Sequence, residues 1–152
     1  MIPMPIRNAT YHDAPAIKLL LETLGYNTST ILLISQLENL FVGKDNQVFV
    51  YELNKEVVGF IAVHFLPQLG FGGGLVWITY LAVYETIKDQ RIGAALEQYV
   101  TGQAKLRKCD RIQVHCQSQW AESHQFYERQ GYGKYPEFLQ RGWCMANKRN
   151  IT

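Results

Sequence analysis

The sequence predicts an α/β sandwich around a mixed sheet, built as one domain over residues 1–152. Three observations lead there. Strand-like runs at 47–53, 56–65, 76–83 and 110–116 alternate with stretches whose apolar residues recur at helical spacing. Two of the runs are joined only by Asn54-Lys55, a hairpin signal. Residues 76–100 then read as strand, polar turn and helix in unbroken succession.

The elements follow in order. Residues 5–10 read as a short first strand. Asp13 is suited to cap a helix, with Pro15 tolerated in its first turn. Ile17, Leu20, Leu21 and Leu24 share one face, and Gly25 closes the helix. Thr28 and Ser29 offer a second cap, and Leu33, Leu37, Leu40 and Phe41 form the next apolar stripe, ended by Gly43. After the hairpin, the proline and glycines of 66–74 mark a loop. The helix after the central strand ends near Arg107-Lys108. Residues 110–116 alternate, with Ile112, Val114 and Cys116 on one face. Ser118 is suited to cap a helix over 120–130, stopped by Gly131. Residues 132–147 are aromatic-rich and are expected to supply the last one or two strands, and 148–152 to fray.

Composition excludes several classes. With 152 residues, 47% hydrophobic and 18% charged, the chain can bury a real core, and disorder is not expected. A net charge of +2 is too small to suggest a nucleic-acid protein. No apolar run is long enough to span a bilayer, and the N-terminus lacks a signal-peptide pattern. Three widely spaced cysteines, Cys109, Cys116 and Cys144, fit neither a disulfide framework nor a zinc pattern, so no metal is expected and a cytoplasmic setting is.

The chemistry concentrates at residues 76–100. The turn carries Lys88 and Arg91 and ends at Gly93, where a helix begins. The first N–H groups of a helix have no intrahelical acceptor, and the helix dipole is positive there, so such a place attracts phosphate. Lys88-Asp89-Gln90-Arg91-Ile92-Gly93, followed by Ala94-Ala95-Leu96, resembles the acetyl-coenzyme A loop of the GCN5-related N-acetyltransferases. That loop usually reads Gln or Arg, two residues, Gly, one residue, then Gly or Ala. Lys88 keeps the charge of the first position, whereas Arg91 replaces the usual middle glycine. Downstream, Ser123-His124-Gln125-Phe126-Tyr127 through Gly131-Tyr132 resembles the family's Ala-x-x-Phe-Tyr-x-x-x-Gly-Phe/Tyr segment. The two matches come in the family's order and separation, and together the resemblance extends over the whole chain.

The resemblance implies an α/β (α+β) single-domain fold: a mixed, mostly antiparallel sheet splayed at its centre and flanked by about four helices. It assigns Leu81, Ala82 and Val83 to the pantetheine arm through backbone hydrogen bonds. It assigns Lys88, Asp89, Gln90, Arg91, Ile92, Gly93 and Ala94 to the pyrophosphate, and places Ser123 among the coenzyme contacts. For Arg91 two backbone states compete. A positive φ strains it by about 1 kcal/mol. An extended state lets it point outward or add charge to a phosphate, and this state is expected because the flanking pattern is intact.

Acetyl transfer to an amine requires a held thioester, an amine that sheds a proton and a thiolate that gains one. Tyr127 stands where many family members carry the tyrosine that protonates the thiolate. A free phenol has a pKa of about 10, so it can donate at neutral pH. The alternative for Tyr127 is packing against the sheet. Many relatives carry an acid just before the Leu-x-Val segment, but here those positions are Thr79 and Tyr80, which are not bases at neutral pH. Glu85, His64, His115, Glu52 and His124 remain as candidate bases, beside a water chain or an amine that arrives neutral. A lone His or Glu is more often structural.

The reading is an acetyl-coenzyme A-dependent N-acetyltransferase acting directly on a primary amine, with a small-molecule acceptor. The alternatives are a protein lysine or N-terminal acetyltransferase, and a non-catalytic acyl-coenzyme A-binding module. Neither nucleic acid nor membrane is expected as partner, and a homodimer is left open.

Overall fold

Apolar, β-branched and aromatic runs build strands β1 (Ile6–Asn8), β2 (Asn46–Leu53), β3 (Glu56–Leu66), β4 (Gly74–Val83) and β5 (Cys109–Val114). Helical spacing builds α1 (Ala14–Thr23), α2 (Thr30–Leu40), α3 (Ile92–Leu106) and α4 (Ala121–Arg129). These elements come from a computed structural model that describes residues 4–84, 91–115, 121–134 and 139–143. The strands pair in chain order, antiparallel from β1 to β4 and parallel between β4 and β5. A parallel pair needs a crossover, and α3 falls within it. The mixed α/β class and the mixed, mostly antiparallel sheet are those predicted.

Residue contacts divide the chain into two compact units, 1–115 and 116–152. The first holds the sheet and α1 to α3, and the second holds α4. Among the described residues no helix is long and apolar enough to cross a membrane.

The sheet of the first unit has two buried faces. On one, α1 and α2 contribute Ala14, Ile17, Leu20, Leu21, Leu33 and Leu37, packed with Val48, Val50, Phe60, Ala62 and Ala82. On the other, α3 buries Ile92, Leu96, Val100 and Ala104, and Phe49 meets Tyr99 edge-on with ring centroids 4.9 Å apart. Each such fully buried aliphatic side chain contributes roughly 1.5–3 kcal/mol. The 3.6 period of the helices and the 2.0 period of the strands therefore meet on both faces.

Local chemistry sets the boundaries. Asn54 and Lys55 both have positive φ, 52° and 66°, as a two-residue hairpin of the primed type requires. Gly25 takes φ +92° just beyond α1, and the Ser29 side chain accepts from Leu32 N at 3.1 Å to cap α2.

Asp13 departs from its predicted role as a side-chain cap. It occupies the N-cap position of α1, but its carboxylate makes no cap bond. Instead Arg7 donates to it from both terminal nitrogens, at 2.8 and 2.9 Å, and Thr10 N donates at 2.7 Å. A bidentate guanidinium across the β1–α1 connection outcompetes the helix N–H groups for the same oxygens. The predicted strands in 132–147 also differ. Among the described residues there, 132–134 and 139–143 form no strand, and Leu139 and Trp143 are exposed. Residues 135–138 and 144–152, with the predicted fraying tail, lie outside the described residues, as do Cys116, Ser118 and Trp120.

Burial opposes the ionised form of Asp13, but the hydrogen bonds from Arg7 and Thr10 outweigh it and hold the carboxyl below its ordinary range. A depressed folded-state pKa gives stability that is present above the unfolded value, about 4, and lost as pH falls through the folded value. Asp13→Asn is expected to cost about 1–3 kcal/mol at neutral pH, a fall of roughly 2–10 °C in Tm. The gap between wild type and variant should close in acid. Thermal melts from pH 7 to pH 3 measure both, and an unchanged Tm at neutral pH would remove this ion pair from the supports of the fold.

Candidate active site

Strand β4 is paired unequally on its two edges. Toward β3 the ladder runs from Leu66↔Leu75 to Gly59↔Val83. Toward β5 it runs from Gly74↔Cys109 to Ile78↔Val114 and stops. Among the described residues, 79–83 thus have a strand partner on one side only. The change coincides with an irregularity: Ala62 faces Tyr80 while Val63 faces Ile78, so Thr79 is an extra residue in β4. Such a bulge bends its strand and re-aims the residues beyond it. Leu81, Ala82 and Val83 follow it, on a backbone edge that can accept another extended chain.

Helix α3 starts over the ladder that joins β3 to the end of β4. Gly59 of β3 makes the approach possible. A Cβ there would lie 3.2 Å from Ala82 O and from Val83 Cγ2, and 3.3 Å from Ile92 Cγ2. Ile92 is fully buried and anchors the first turn, while Gly93 and Ala94 beside it are small and half-buried. The structure therefore brings Leu81–Val83 and Ile92–Ala94 together. Lys88, Asp89 and Gln90, with the candidate base Glu85, lie outside the described residues.

Arg91 is not extended, as the sequence suggested, but left-handed, with φ 60° and ψ 29° at the N-cap of α3. An N-cap residue has non-helical backbone angles, and Arg91 takes them in the left-handed region. The usual glycine at this place suits that backbone at no steric cost, whereas arginine bears it. The Arg91 side chain makes no cap bond, and the first turn holds no acidic residue. No negative side chain of α3 thus competes for its leading N–H groups, which lie at the positive end of the helix.

In the second unit, α4 carries Ser123 and Tyr127 four residues apart, on one helical face. Tyr127 is buried, its ring edge-on to Phe126 at 5.0 Å and to Tyr132 at 5.2 Å. Gly131 ends the helix with φ +97°.

The candidate bases have different surroundings. Glu52 is drawn toward Arg7 at 3.4 Å. His115 lies against Trp77, with ring centroids 5.2 Å apart. His124 stands on α4 in the second unit. His64 of β3 is bound at both ring nitrogens: Nδ1 lies 2.7 Å from Asn46 Oδ1, and Nε2 lies 3.1 Å from Thr79 Oγ1. Burial lowers the pKa of His64 below its ordinary value. Sequence alone does not reveal this group, since its members come from three strands and meet only through the sheet register.

Chains of known structure share the fold. A transcriptional regulator from Bacillus halodurans C-125 superposes with a TM-score of 0.83 at 24% identity, covering 91% of this chain and 98% of its own. An integron cassette protein from the mobile metagenome of V. cholerae gives 0.76 at 18% identity, covering 96% and 98%. An aminoglycoside acetyltransferase from an uncultured soil metagenomic sample, in complex with trehalose, gives 0.75 at 19%, covering 91% and 93%. The same enzyme in complex with sisomicin gives 0.73 at 19% identity over 91% and 93%. No curated protein matches the chain. The acetyltransferase (GNAT) family model matches residues 11–132, which take in the bulged strand, the start of α3 and the whole of α4. The chain belongs to the acetyltransferase (GNAT) family.

Proposed function

We propose that the protein transfers an acetyl group from acetyl-coenzyme A directly to a primary amine, and that the amine belongs to a small molecule. The observation that carries this reading is the half-paired edge of β4 beside the start of α3, with no acidic residue in its first turn. The donor set suits the coenzyme. Backbone N–H and C=O groups of Leu81 to Val83 suit the amides of a pantetheine arm. The N–H groups of Ile92, Gly93 and Ala94 suit a pyrophosphate, with Lys88 and Arg91 as its cations. Asp89, Gln90 and Ser123 complete the proposed contacts. The coenzyme supplies an activated thioester. The protein holds it, aligns the amine and excludes water.

Tyr127 is the proposed general acid, donating its phenolic proton to the leaving thiolate. The acceptor class draws on the aminoglycoside acetyltransferase, a structural neighbour solved with the amine sisomicin. Thiol release with aminoglycosides, polyamines and amino acids, beside basic peptides, tests it. Turnover of peptides alone would move the acceptor to a protein lysine or N-terminus, and turnover of none would leave a binding module.

Three outcomes are expected. Saturating acetyl-coenzyme A raises Tm, since at 100 times Kd a native-state ligand contributes about 2.7 kcal/mol. Gly93→Glu abolishes that rise by placing bulk and negative charge at the pyrophosphate. A wild-type shift in a folded variant would take the start of α3 out of the site.

Arg91→Gly relieves roughly 1–2 kcal/mol of left-handed strain, less about 0.4–1 kcal/mol of extra chain entropy, so the free protein gains a little stability. Coenzyme binding weakens by roughly 1–3 kcal/mol through loss of a charge-assisted contact. Calorimetric titration decides, and tighter binding by the glycine variant would make Arg91 an intruder.

Tyr127→Phe keeps the buried ring and removes only the hydroxyl. It should lower kcat by roughly 10²–10⁴-fold and leave coenzyme Kd nearly unchanged. A kcat within about threefold of wild type, far short of the general-acid range, would sink the assignment.

A further inference from the structure

The bulge that opens the edge of β4 also carries a polar chain across the α1–α2 face of the sheet. Asn46 of β2, His64 of β3 and Thr79 of β4 stand on adjacent strands. Asn46 Oδ1 lies 2.7 Å from His64 Nδ1, His64 Nε2 lies 3.1 Å from Thr79 Oγ1, and Thr79 Oγ1 lies 3.2 Å from Ala62 O. All three side chains are half-buried, so the chain is ordered without being sealed from solvent.

The proton positions follow from what each atom can do. Asn46 Oδ1 carries no proton, so the proton of that bond sits on His64 Nδ1. In the neutral ring Nε2 is then an acceptor, and the Thr79 hydroxyl proton points to it. When the ring takes a second proton, Nε2 becomes a donor to Thr79 Oγ1, and the hydroxyl turns to Ala62 O. The Thr79 hydroxyl thus has two acceptors within reach, His64 Nε2 and Ala62 O, and its proton serves one at a time. Burial favours the neutral state at neutral pH.

Thr79 is the extra residue of β4, two positions before Leu81. We infer that Thr79 and His64 form a proton relay that takes the proton from the acceptor nitrogen during transfer, with Thr79 facing that nitrogen and His64 as the positioning and receiving residue behind it. The inference rests on the transferase reading above. In the step, the amine nitrogen bonds to the thioester carbonyl carbon and becomes cationic. One N–H proton passes to Thr79 Oγ1 while the Thr79 hydroxyl proton passes to His64 Nε2. The C–S bond breaks, and the thiolate is protonated separately. The imidazolium then returns its Nε2 proton to Thr79 Oγ1, which releases one proton to water, and both residues regain their starting state.

Two measurements test the relay. The first needs no turnover. Nitrogen-15 NMR of the ring, assigned by its absence in His64→Gln, should show the neutral Nδ1–H tautomer at neutral pH, and Thr79→Val should shift the Nε2 resonance. An Nε2–H tautomer in wild type would overturn the relay. The second is kcat by thiol release with saturating acetyl-coenzyme A and an accepted amine. His64→Gln and Thr79→Val should each lower kcat at least tenfold, within the general-base range of about 10²–10⁴ or just below it. Thr79→Ser, which keeps the hydroxyl, should stay within about threefold of wild type, and the double variant should fall no further than either single one, as residues acting as a unit do. If His64→Gln does not fold, the Thr79 pair carries the test. Wild-type kcat in Thr79→Val would overturn the relay alone, whereas a wild-type protein that acetylates no amine would overturn the transferase reading and the relay with it.

Discussion

A β-strand satisfies its backbone on both edges only while both neighbours stay in register, and among the described residues β4 has β5 as a partner only as far as Ile78. Everything proposed for the site depends on that one-sided pairing. The ladder to β3 continues to Val83, so the strand stays ordered while its other edge is released. Backbone donors and acceptors held straight by one neighbour and left open on the other side are a template for an extended ligand. The extra residue at Thr79 marks the place where the register shifts, and it also turns a hydroxyl toward the ring of His64.

The rest of the first unit holds this arrangement in place. Gly59 lets the end of β4 and the first turn of α3 come within van der Waals distance, where any larger residue would push them apart. Ile92, Leu96 and Val100 then fix the helix on the sheet. On the opposite face the paired carboxylate of Asp13 joins β1 to the start of α1, over a core that runs from Ile17 to Ala82. Arg91 takes a left-handed backbone at the N-cap of α3, although its side chain makes that backbone costly.

The polar chain from Asn46 to Thr79 gives the bulge a second consequence. The histidine lies between an amide oxygen and a hydroxyl, and burial biases it toward the uncharged form, so its position and its partners come from the same three strands that shape the edge. The aromatic packing of Tyr127 belongs to the second unit, where Phe126 and Tyr132 hold its ring.

The sequence by itself determined the elements whose causes are local. The helical spacing of Ile17 to Leu24, of Leu33 to Phe41 and of Ile92 to Val100 predicted α1, α2 and α3, and Asn54-Lys55, Gly25, Ser29 and Gly131 marked boundaries through turn and cap chemistry. It also determined the family, because the segments around Gly93 and Phe126-Tyr127 lie whole within short windows. Three matters were decided only in three dimensions. The carboxylate of Asp13 took Arg7 instead of the helix, because a bidentate partner on β1 was within reach. Arg91 took a left-handed backbone at the N-cap of α3, a position whose residue leaves helical geometry. Thr79 and His64, 15 residues apart, became partners because a bulge placed them side by side. Periodicity and capping depend on neighbours along the chain. Register, edge pairing and cross-strand hydrogen bonds depend on neighbours across it, which only the folded sheet supplies.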